Sequence, residues 1–181
     1  MTTEPCNSSL ELAGALFPDE EWIPTEQNIW VARSRLSQEK REPEKWVKEM
    51  SQVRILTDRG SVAYFLPEKY VKGEKRNKTA DLVLDGEVLE MKTIFGNRET
   101  LGNQFRYGYN QGSILLQNYE ITKRHSVFIR LLSDIPINSV KAKIAGVLKY
   151  RYDEGKCICF FEVIGELHIW SYNELRSIIG T

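Results

Sequence analysis

From Pro43 onward, apolar and polar positions alternate with the period of an α-helix. The apolar residues recur at spacings of three and four along this segment, as Trp46, Met50, Val53 and Leu56. That spacing predicts a helix with one apolar stripe, and Pro43 suits its first turn. Gly60 ends the pattern. The apolar run at residues 62–66, which stops at Pro67, predicts a strand.

Two apolar runs on either side of Asp85-Gly86 predict a β-hairpin. The strands are expected at residues 81–84 and 87–94, because Asp-Gly is the strongest short signal for a two-residue turn. Side chains alternate between the two faces of a strand. The face that we expect to be buried carries the apolar residues Leu82, Leu84, Leu89 and Met91.

Helical and extended patterns alternate from the hairpin to the end of the chain. The predicted elements are a helix at 99–112, a strand at 127–132, a helix at 140–148, a hairpin at 157–170 and a last helix after Ser171. Residues 114–116 fit either a longer helix or a strand. Ser171 and Glu174 match a capping box, which marks a helix start. The pattern predicts an α/β or α+β fold, with a central mixed β-sheet flanked by helices.

Residues 1–42 differ from the rest of the chain in charge. Residues 1–32 contain six acidic residues and no Lys or Arg, whereas residues 33–181 carry a net charge of +6. The segment also has more large apolar side chains than a free tail would carry. We therefore expect an acidic N-terminal segment, residues 1–42, packed on a single domain at residues 43–181. A mildly basic body is compatible with a polyanionic partner.

The composition excludes several classes of protein. The chain has 181 residues, of which 41% are hydrophobic and 28% charged, as in a globular domain rather than a disordered or collagen-like chain. No apolar run approaches the roughly 20 residues of a membrane helix. The N-terminus has no basic residue before its weak apolar patch, so a secretory signal is not expected. The expected location is the cytoplasm, with no membrane partner.

Charged residues occupy the second face of the predicted hairpin. A two-residue turn places Asp81 opposite Glu90, with Cβ atoms about 5 Å apart, and Lys92 on the same face. These like charges repel, and a divalent cation, Mg²⁺ or Mn²⁺, would offset the repulsion. Lys92 would then orient or deprotonate a water and stabilise charge on a phosphate oxygen. We expect this face to open to a cleft; a solvated sheet face is the alternative.

The pattern Asp81-x8-Glu90-x-Lys92, on a hairpin that follows a helix and a strand, resembles the PD-(D/E)xK nuclease superfamily. Ala80 precedes the aspartate where many members have Pro. The resemblance implies a nuclease-like fold for residues 43–181 and metal-dependent hydrolysis of phosphodiester bonds. It also implies that Asp81, Glu90 and Lys92 are catalytic, with the two carboxylates as metal ligands.

Members of this superfamily often add an acidic residue on the preceding helix. Glu49 fits that position as a further metal ligand and catalytic residue, and Glu44, one turn earlier, is its competitor. Residues 49–111 look most like the tRNase toxin domain at the C-terminus of contact-dependent growth inhibition proteins. In those domains the helix after the hairpin ends in Gln, which Gln104 or Gln111 matches. The resemblance implies tRNA as substrate and a cognate immunity or antitoxin protein as partner.

Basic and amide side chains flank the predicted site. The residues that we expect to contact nucleic acid are Lys75, Arg76, Lys78, Arg98, Gln104, Arg106 and Gln111. Basic side chains neutralise phosphates, so they would hold the backbone while the metal lies at the scissile phosphate. For the loop that leads into the hairpin, a solvated surface is the alternative interpretation.

Four hypotheses about function remain open at this point. The leading one is a metal-dependent nuclease that acts on RNA, especially tRNA. The second is a DNA endonuclease of restriction or repair type on the same fold. The third is a metal-independent ribonuclease that uses His125 or His168 as its base. The fourth is a nuclease fold without catalytic activity that serves as a binding module.

Overall fold

The computed structural model describes residues 7–68, 80–149, 156–162 and 165–179. These residues form a mixed α+β structure with six α-helices and eight strands, and the strands form one mixed sheet. The predicted mixed α/β class is confirmed at this level. The chain divides into two compact units, Met1–Val88 and Leu89–Thr181. No helix in the described ranges is long and apolar enough to cross a membrane.

The first unit contains four strands and three helices. In chain order they are α1 (Asn7–Leu16), β1 (Trp22–Glu26), β2 (Ile29–Ala32), a 3₁₀ turn (Arg33–Arg35), α2 (Gln38–Arg41), α3 (Pro43–Thr57), β3 (Ala63–Phe65) and β4 (Leu82–Leu84). Strand β2 pairs antiparallel with β1 and parallel with β3, and β3 pairs antiparallel with β4. Trp30 of β2 stacks on Tyr64 of β3, with ring centroids 5.0 Å apart.

Helix α3 matches the sequence prediction closely. Pro43 occupies its first turn, and the predicted stripe of Trp46, Met50, Val53 and Leu56 is buried. The Trp46 ring packs against Phe65 of β3, with centroids 5.7 Å apart. Gly60 follows the helix with a φ of 97°, a conformation that side chains disfavour, which explains why the helix stops there.

The predicted Asp-Gly turn is confirmed. Asp85 and Gly86 have φ values of 49° and 81°, the two successive positive values of a type I′ hairpin turn. The Asp85 carboxylate accepts a hydrogen bond from the backbone N–H of Val62 at 2.8 Å. Ser9 of α1 accepts another from the N–H of Gly86 at 2.8 Å. The turn is therefore fixed by contacts with two other segments of the first unit.

Strand β5 (Glu87–Ile94) crosses the boundary between the units. It is buried more thoroughly than its alternating apolar and polar residues predict. The four expected core residues of β4 and β5 are buried: Leu82, Leu84, Leu89 and Met91. Val83 and Val88 are buried as well, and Glu90 is only 3% exposed. The expectation of an open charged face is therefore wrong for Glu90, because both faces of the strand are covered.

The second unit continues with helices and strands in alternation. They are α4 (Arg98–Asn118), β6 (His125–Leu131), α5 (Ile137–Leu148), β7 (Lys156–Phe161), β8 (Glu166–Ser171) and α6 (Tyr172–Ser177). Strand β7 pairs parallel with β6 and antiparallel with β8. Helix α4 includes residues 114–116, which resolves their ambiguity in favour of helix. The predicted capping box of Ser171 and Glu174 is confirmed at the start of α6.

Two glycines allow α4 to lie close to the strands of the second unit. A Cβ at Gly108 would lie 3.2 Å from Val127 of β6 and 3.3 Å from the side chain of Glu90. A Cβ at Gly112 would lie 3.0 Å from the Cβ of His125. On α5, by contrast, a Cβ at Gly146 would meet nothing within 4 Å.

This contrast gives a paired prediction for stability. Gly112→Ala should lower the free energy of unfolding by roughly 1–2 kcal/mol, because overpacking against the buried His125 outweighs the better helix propensity of Ala. Gly146→Ala should raise it by about 0.5–1 kcal/mol, because the new methyl group meets open space. Urea denaturation followed by circular dichroism measures both changes. Equal effects of the two substitutions would contradict the close packing of α4.

Candidate functional site

The guanidinium of Arg35 lies at the centre of a polar cluster in the first unit. Its side chain is only 1% exposed. The Nε atom donates to Gln38 Oε1 at 2.9 Å, and Nη2 donates to Glu49 Oε2 at 2.8 Å. The Nη1 atom donates to the backbone carbonyls of Leu66 at 2.9 Å and Asp81 at 2.8 Å. Arg35 therefore connects α2, α3 and the segment that enters β4.

Three carboxylates surround this guanidinium. Besides Glu49, the Oδ1 atom of Asp81 lies 3.9 Å from Arg35 Nη2, and Glu68 Oε1 lies at 4.0 Å. Lys45 supplies a second cation, since its Nζ donates to Glu68 Oε1 at 2.7 Å and lies 3.7 Å from Glu49 Oε1. The cluster is therefore a network of three acids and two bases rather than a single ion pair.

Burial raises the pKa of the Glu49 carboxyl above its ordinary value. The charge of Arg35 lowers the pKa and that of Asp81 raises it, so the effect of burial prevails. The pKa of Glu68 is lowered instead, because the hydrogen bond from Lys45 and the charge of Arg35 outweigh its burial. Additional positive charge near Glu49 would favour its ionised form.

Of the two candidate acids on α3, Glu49 belongs to this cluster. Its competitor Glu44 is exposed on the helix surface. Sequence reasoning missed Arg35, Lys45 and Glu68, since ion pairs between distant segments leave no local pattern. The one sequence signal that Arg35 is buried was its position in a segment with more large apolar side chains than a free tail would carry.

In the second unit, Lys92 lies between two polar side chains. Its Nζ donates to Glu90 Oε1 on the same strand and to Gln111 Oε1 of α4 at 2.9 Å. The Lys92 side chain is 19% exposed, so it is held in place but not fully buried. The missing side chain at Gly108 lets α4 approach β5, because a Cβ there would lie 3.4 Å from Lys92 Cε.

The other predicted nucleic-acid contacts separate into three groups. Gln104 lies seven residues before Gln111 on α4, is half-buried, and is not the glutamine that contacts Lys92. Arg98 and Arg106 are exposed on α4 and line a cleft of about 470 Å³ next to α5. The basic residues predicted in the loop before the hairpin lie outside the described residues: Lys75, Arg76 and Lys78.

The oxygen ligands expected for Mg²⁺ are present in both units. Glu49 and Asp81 meet at Arg35 in the first unit, and Glu90 lies in the second. Among the described residues, no group of three or more His, Cys, Asp or Glu side chains is arranged to hold a metal ion. Mg²⁺ commonly uses one or two carboxylates and completes its shell with waters and substrate phosphates. The metal site therefore stays a prediction, with the right ligand chemistry.

The two histidines differ in their suitability as a general base. His125 is 3% exposed and packs edge-on against Tyr109, with centroids 4.6 Å apart, so its ring is not accessible to a substrate. His168 stacks on Trp170 at 5.6 Å, and its Nε2 lies 3.2 Å from Glu166 Oε1. The burial of His125 argues against it as the base, whereas His168 stays a candidate for the metal-independent hypothesis.

Comparisons with protein-family models, with curated proteins and with solved structures give no match to this chain. The contacts of Arg35 in the first unit and of Lys92 in the second are therefore the observations on which functional inference rests.

The buried position of Arg35 predicts a large effect on stability. Arg35→Met should lower the free energy of unfolding by about 3–5 kcal/mol, because it takes the nearest cation from the buried Glu49 carboxylate and the guanidinium donor from the Leu66 carbonyl. Arg54→Met is the matched control, since Arg54 pairs with Glu26 at the surface and should change stability by less than about 1 kcal/mol. Chemical denaturation measures both variants.

A double substitution separates the charge effect from the loss of packing. Adding Glu49→Gln to Arg35→Met should recover part of the lost stability, because it removes the uncompensated carboxylate. If Arg35→Met proved as mild as Arg54→Met, the network would not be a structural centre of the first unit.

Proposed function

We propose that this chain is a metal-dependent nuclease of the PD-(D/E)xK type that hydrolyses phosphodiester bonds. The observation that carries the proposal is the contact of Lys92 with Glu90 and Gln111. An ammonium group held by a carboxylate and an amide keeps a fixed position, and the side chain that carries it is 19% exposed. That is the arrangement needed to stabilise negative charge on a phosphate oxygen in the transition state.

Each residue of the proposed site has a distinct task. Lys92 stabilises the developing charge on the phosphate and orients the attacking water. Gln111 is a positioning residue, since it holds the Lys92 ammonium through one hydrogen bond. The family resemblance assigns Asp81, Glu90 and Glu49 as ligands of Mg²⁺ or Mn²⁺; one or two of these carboxylates would hold the ion, with waters and substrate phosphate completing its shell. When bound, the metal supplies a water of lowered pKa and positive charge at the scissile phosphate.

Three features of the first unit support the assignment of these tasks. The predicted pairing of Asp81 with Glu90 requires a two-residue turn after β4, and Asp85 and Gly86 form such a turn. Helix α3 presents Glu49, rather than Glu44, to the polar cluster. The Asp81 carboxylate belongs to the same cluster, and its backbone carbonyl is fixed by Arg35.

RNA is the proposed substrate, and tRNA above other RNAs. This preference rests on the resemblance of residues 49–111 to the tRNase toxin domains of contact-dependent growth inhibition proteins. A toxin of this kind acts in the cytoplasm of its target, and the cell that makes it needs a cognate immunity protein. Both the location and the partner belong to the proposal.

Metal dependence provides the first test. Purified protein should cleave bulk tRNA in millimolar Mg²⁺, lose this activity in EDTA, and regain it when Mg²⁺ is restored in excess. Supercoiled plasmid in a parallel reaction separates ribonuclease from DNA endonuclease activity. Cleavage of tRNA that persists in EDTA would contradict the metal requirement, and cleavage of plasmid alone would assign the DNA alternative.

Substitutions in the second unit provide the second test. Lys92→Ala and Glu90→Gln should each lower kcat by roughly 10²–10³-fold, because the first removes the cation that stabilises the transition state and the second removes the charge of a proposed metal ligand. Lys123→Ala is the control, since it removes an exposed lysine of the same unit outside the proposed site. Circular dichroism and the thermal midpoint should show that each variant stays folded. Equal activity of parent and folded Lys92→Ala would place the chemistry elsewhere.

A further inference from the structure

A basic cleft lies between helices α4 and α5 of the second unit. Its volume is about 470 Å³, and it is lined by Arg98, Arg106, Ala142, Lys143, Gly146 and Val147. We propose that this α4–α5 cleft binds the sugar–phosphate backbone of a nucleic acid without reading its bases. The inference rests on the proposed function and extends it, because it names a second contact of the substrate.

The three basic side chains retain most of their hydrogen-bonding capacity. Arg98 forms no hydrogen bond with any described residue and is exposed. Arg106 donates one hydrogen bond, from Nη2 to Asn103 Oδ1 at 2.7 Å. Lys143 donates to Glu99 Oε1 at 2.7 Å. A guanidinium has five N–H donors and an ammonium three, so the cleft offers donors for several phosphate oxygens.

Two glycines shape the cleft for this role. The side chain of Lys143 lies across Gly102, since a Cβ there would come within 2.2 Å of Lys143 Cε. Gly102 thus lets Lys143 extend along α4 between Arg98 and Arg106, which lie four residues away on either side. A Cβ at Gly146 meets nothing within 4 Å, so this part of the lining is open.

The dimensions favour a polymer over a single phosphate. Arg98 and Arg106 are eight residues apart on one helix, which corresponds to about 12 Å along its axis. A strand in a duplex carries one phosphate per roughly 3.4 Å of the helix axis, so a separation of about 12 Å lets the two guanidinium groups contact different phosphates. No aromatic side chain is among the described lining residues, so the cleft lacks the aromatic stacking surface typical of sites that hold unpaired bases.

The whole second unit has the charge that such a ligand requires. Residues 89–181 contain twelve Lys and Arg against nine Asp and Glu, a net charge of +3, whereas residues 1–88 carry a net charge of −3. The basic cleft therefore belongs to the more positive part of the chain. Electrostatic attraction of this kind is independent of base sequence and weakens with salt.

Gly146 offers a test that leaves the basic residues in place. Gly146→Glu and Gly146→Gln add side chains of nearly equal size at a position with free space, and they differ by one negative charge. Binding of a fluorescein-labelled 12-nucleotide RNA is measured by anisotropy in EDTA, where the proposed catalysis is silent. We expect Gly146→Glu to bind at least about fivefold more weakly than Gly146→Gln.

The matched control is the same pair of substitutions at Gly14 of α1 in the first unit. A Cβ at Gly14 also meets nothing within 4 Å, so Glu and Gln should fit there equally well. Gly14→Glu and Gly14→Gln should bind the RNA within a factor of two of each other. Log affinity falls as log salt concentration rises, and Lys143→Gln should make this fall less steep by about one unit of slope, because one phosphate contact is lost.

Competing ligands distinguish a backbone site from a nucleotide site. Unlabelled 12-nucleotide RNA should displace the labelled strand, while ADP, inorganic phosphate and a 12-nucleotide methylphosphonate strand should not. Equal binding by Gly146→Glu and Gly146→Gln would overturn the proposal. Displacement by ADP as effective as that by RNA would overturn it in favour of a mononucleotide site.

Failure of this proposal and failure of the nuclease proposal give different results. If the parent cleaves tRNA while the two Gly146 variants bind and cleave alike, the cleft is not a substrate contact and the nuclease stands. If charge at Gly146 controls binding while the parent cleaves neither RNA nor DNA, the cleft stands and the protein is a binding module.

Discussion

The first unit depends on the burial of one guanidinium. Arg35 is almost fully removed from water, and such a charge is tolerated only where hydrogen-bond acceptors and opposite charge surround it. Glu49 supplies the charge, and the carbonyls of Leu66 and Asp81 supply the acceptors. The same contact that stabilises the unit therefore fixes the backbone at Asp81, a proposed metal ligand. The burial of Arg35 therefore affects both the stability of the first unit and the position of a proposed metal ligand.

The elements that sequence predicted well are those with strong local signals. Helix α3 has a regular apolar stripe, the Asp85-Gly86 turn needs two successive positive φ values, and the α6 capping box is a motif of four residues. Strands β1 and β2 were missed, because they have only five and four residues and no period. Moreover, β2 pairs with β3 in parallel across more than thirty residues, and such pairing leaves no local pattern.

Some candidate residues named from the sequence contact one another, and these contacts lie within one element or between neighbouring ones. Sequence reasoning named Lys92, Glu90 and Gln111, which meet in the second unit, but it left Gln104 as an equal candidate. An open face was expected at Glu90, because the alternation of apolar and polar residues along the strand was taken to mean that one side is solvated. The strand is instead covered on both sides, and this covering depends on the close approach of α4 at Gly108.

The distance in sequence between Arg35 and its acceptors also constrains the order of folding. Leu66 and Asp81 lie 31 and 46 residues after Arg35. At a synthesis rate of about 5–20 residues per second, Asp81 follows Arg35 from the ribosome after roughly 2–9 s. For the earlier part of that interval, until residues 63–65 emerge, the apolar strand β2 also lacks its partner β3. A nascent chain of this protein thus exposes an unpaired sheet edge for seconds, which is the condition in which chaperones bind.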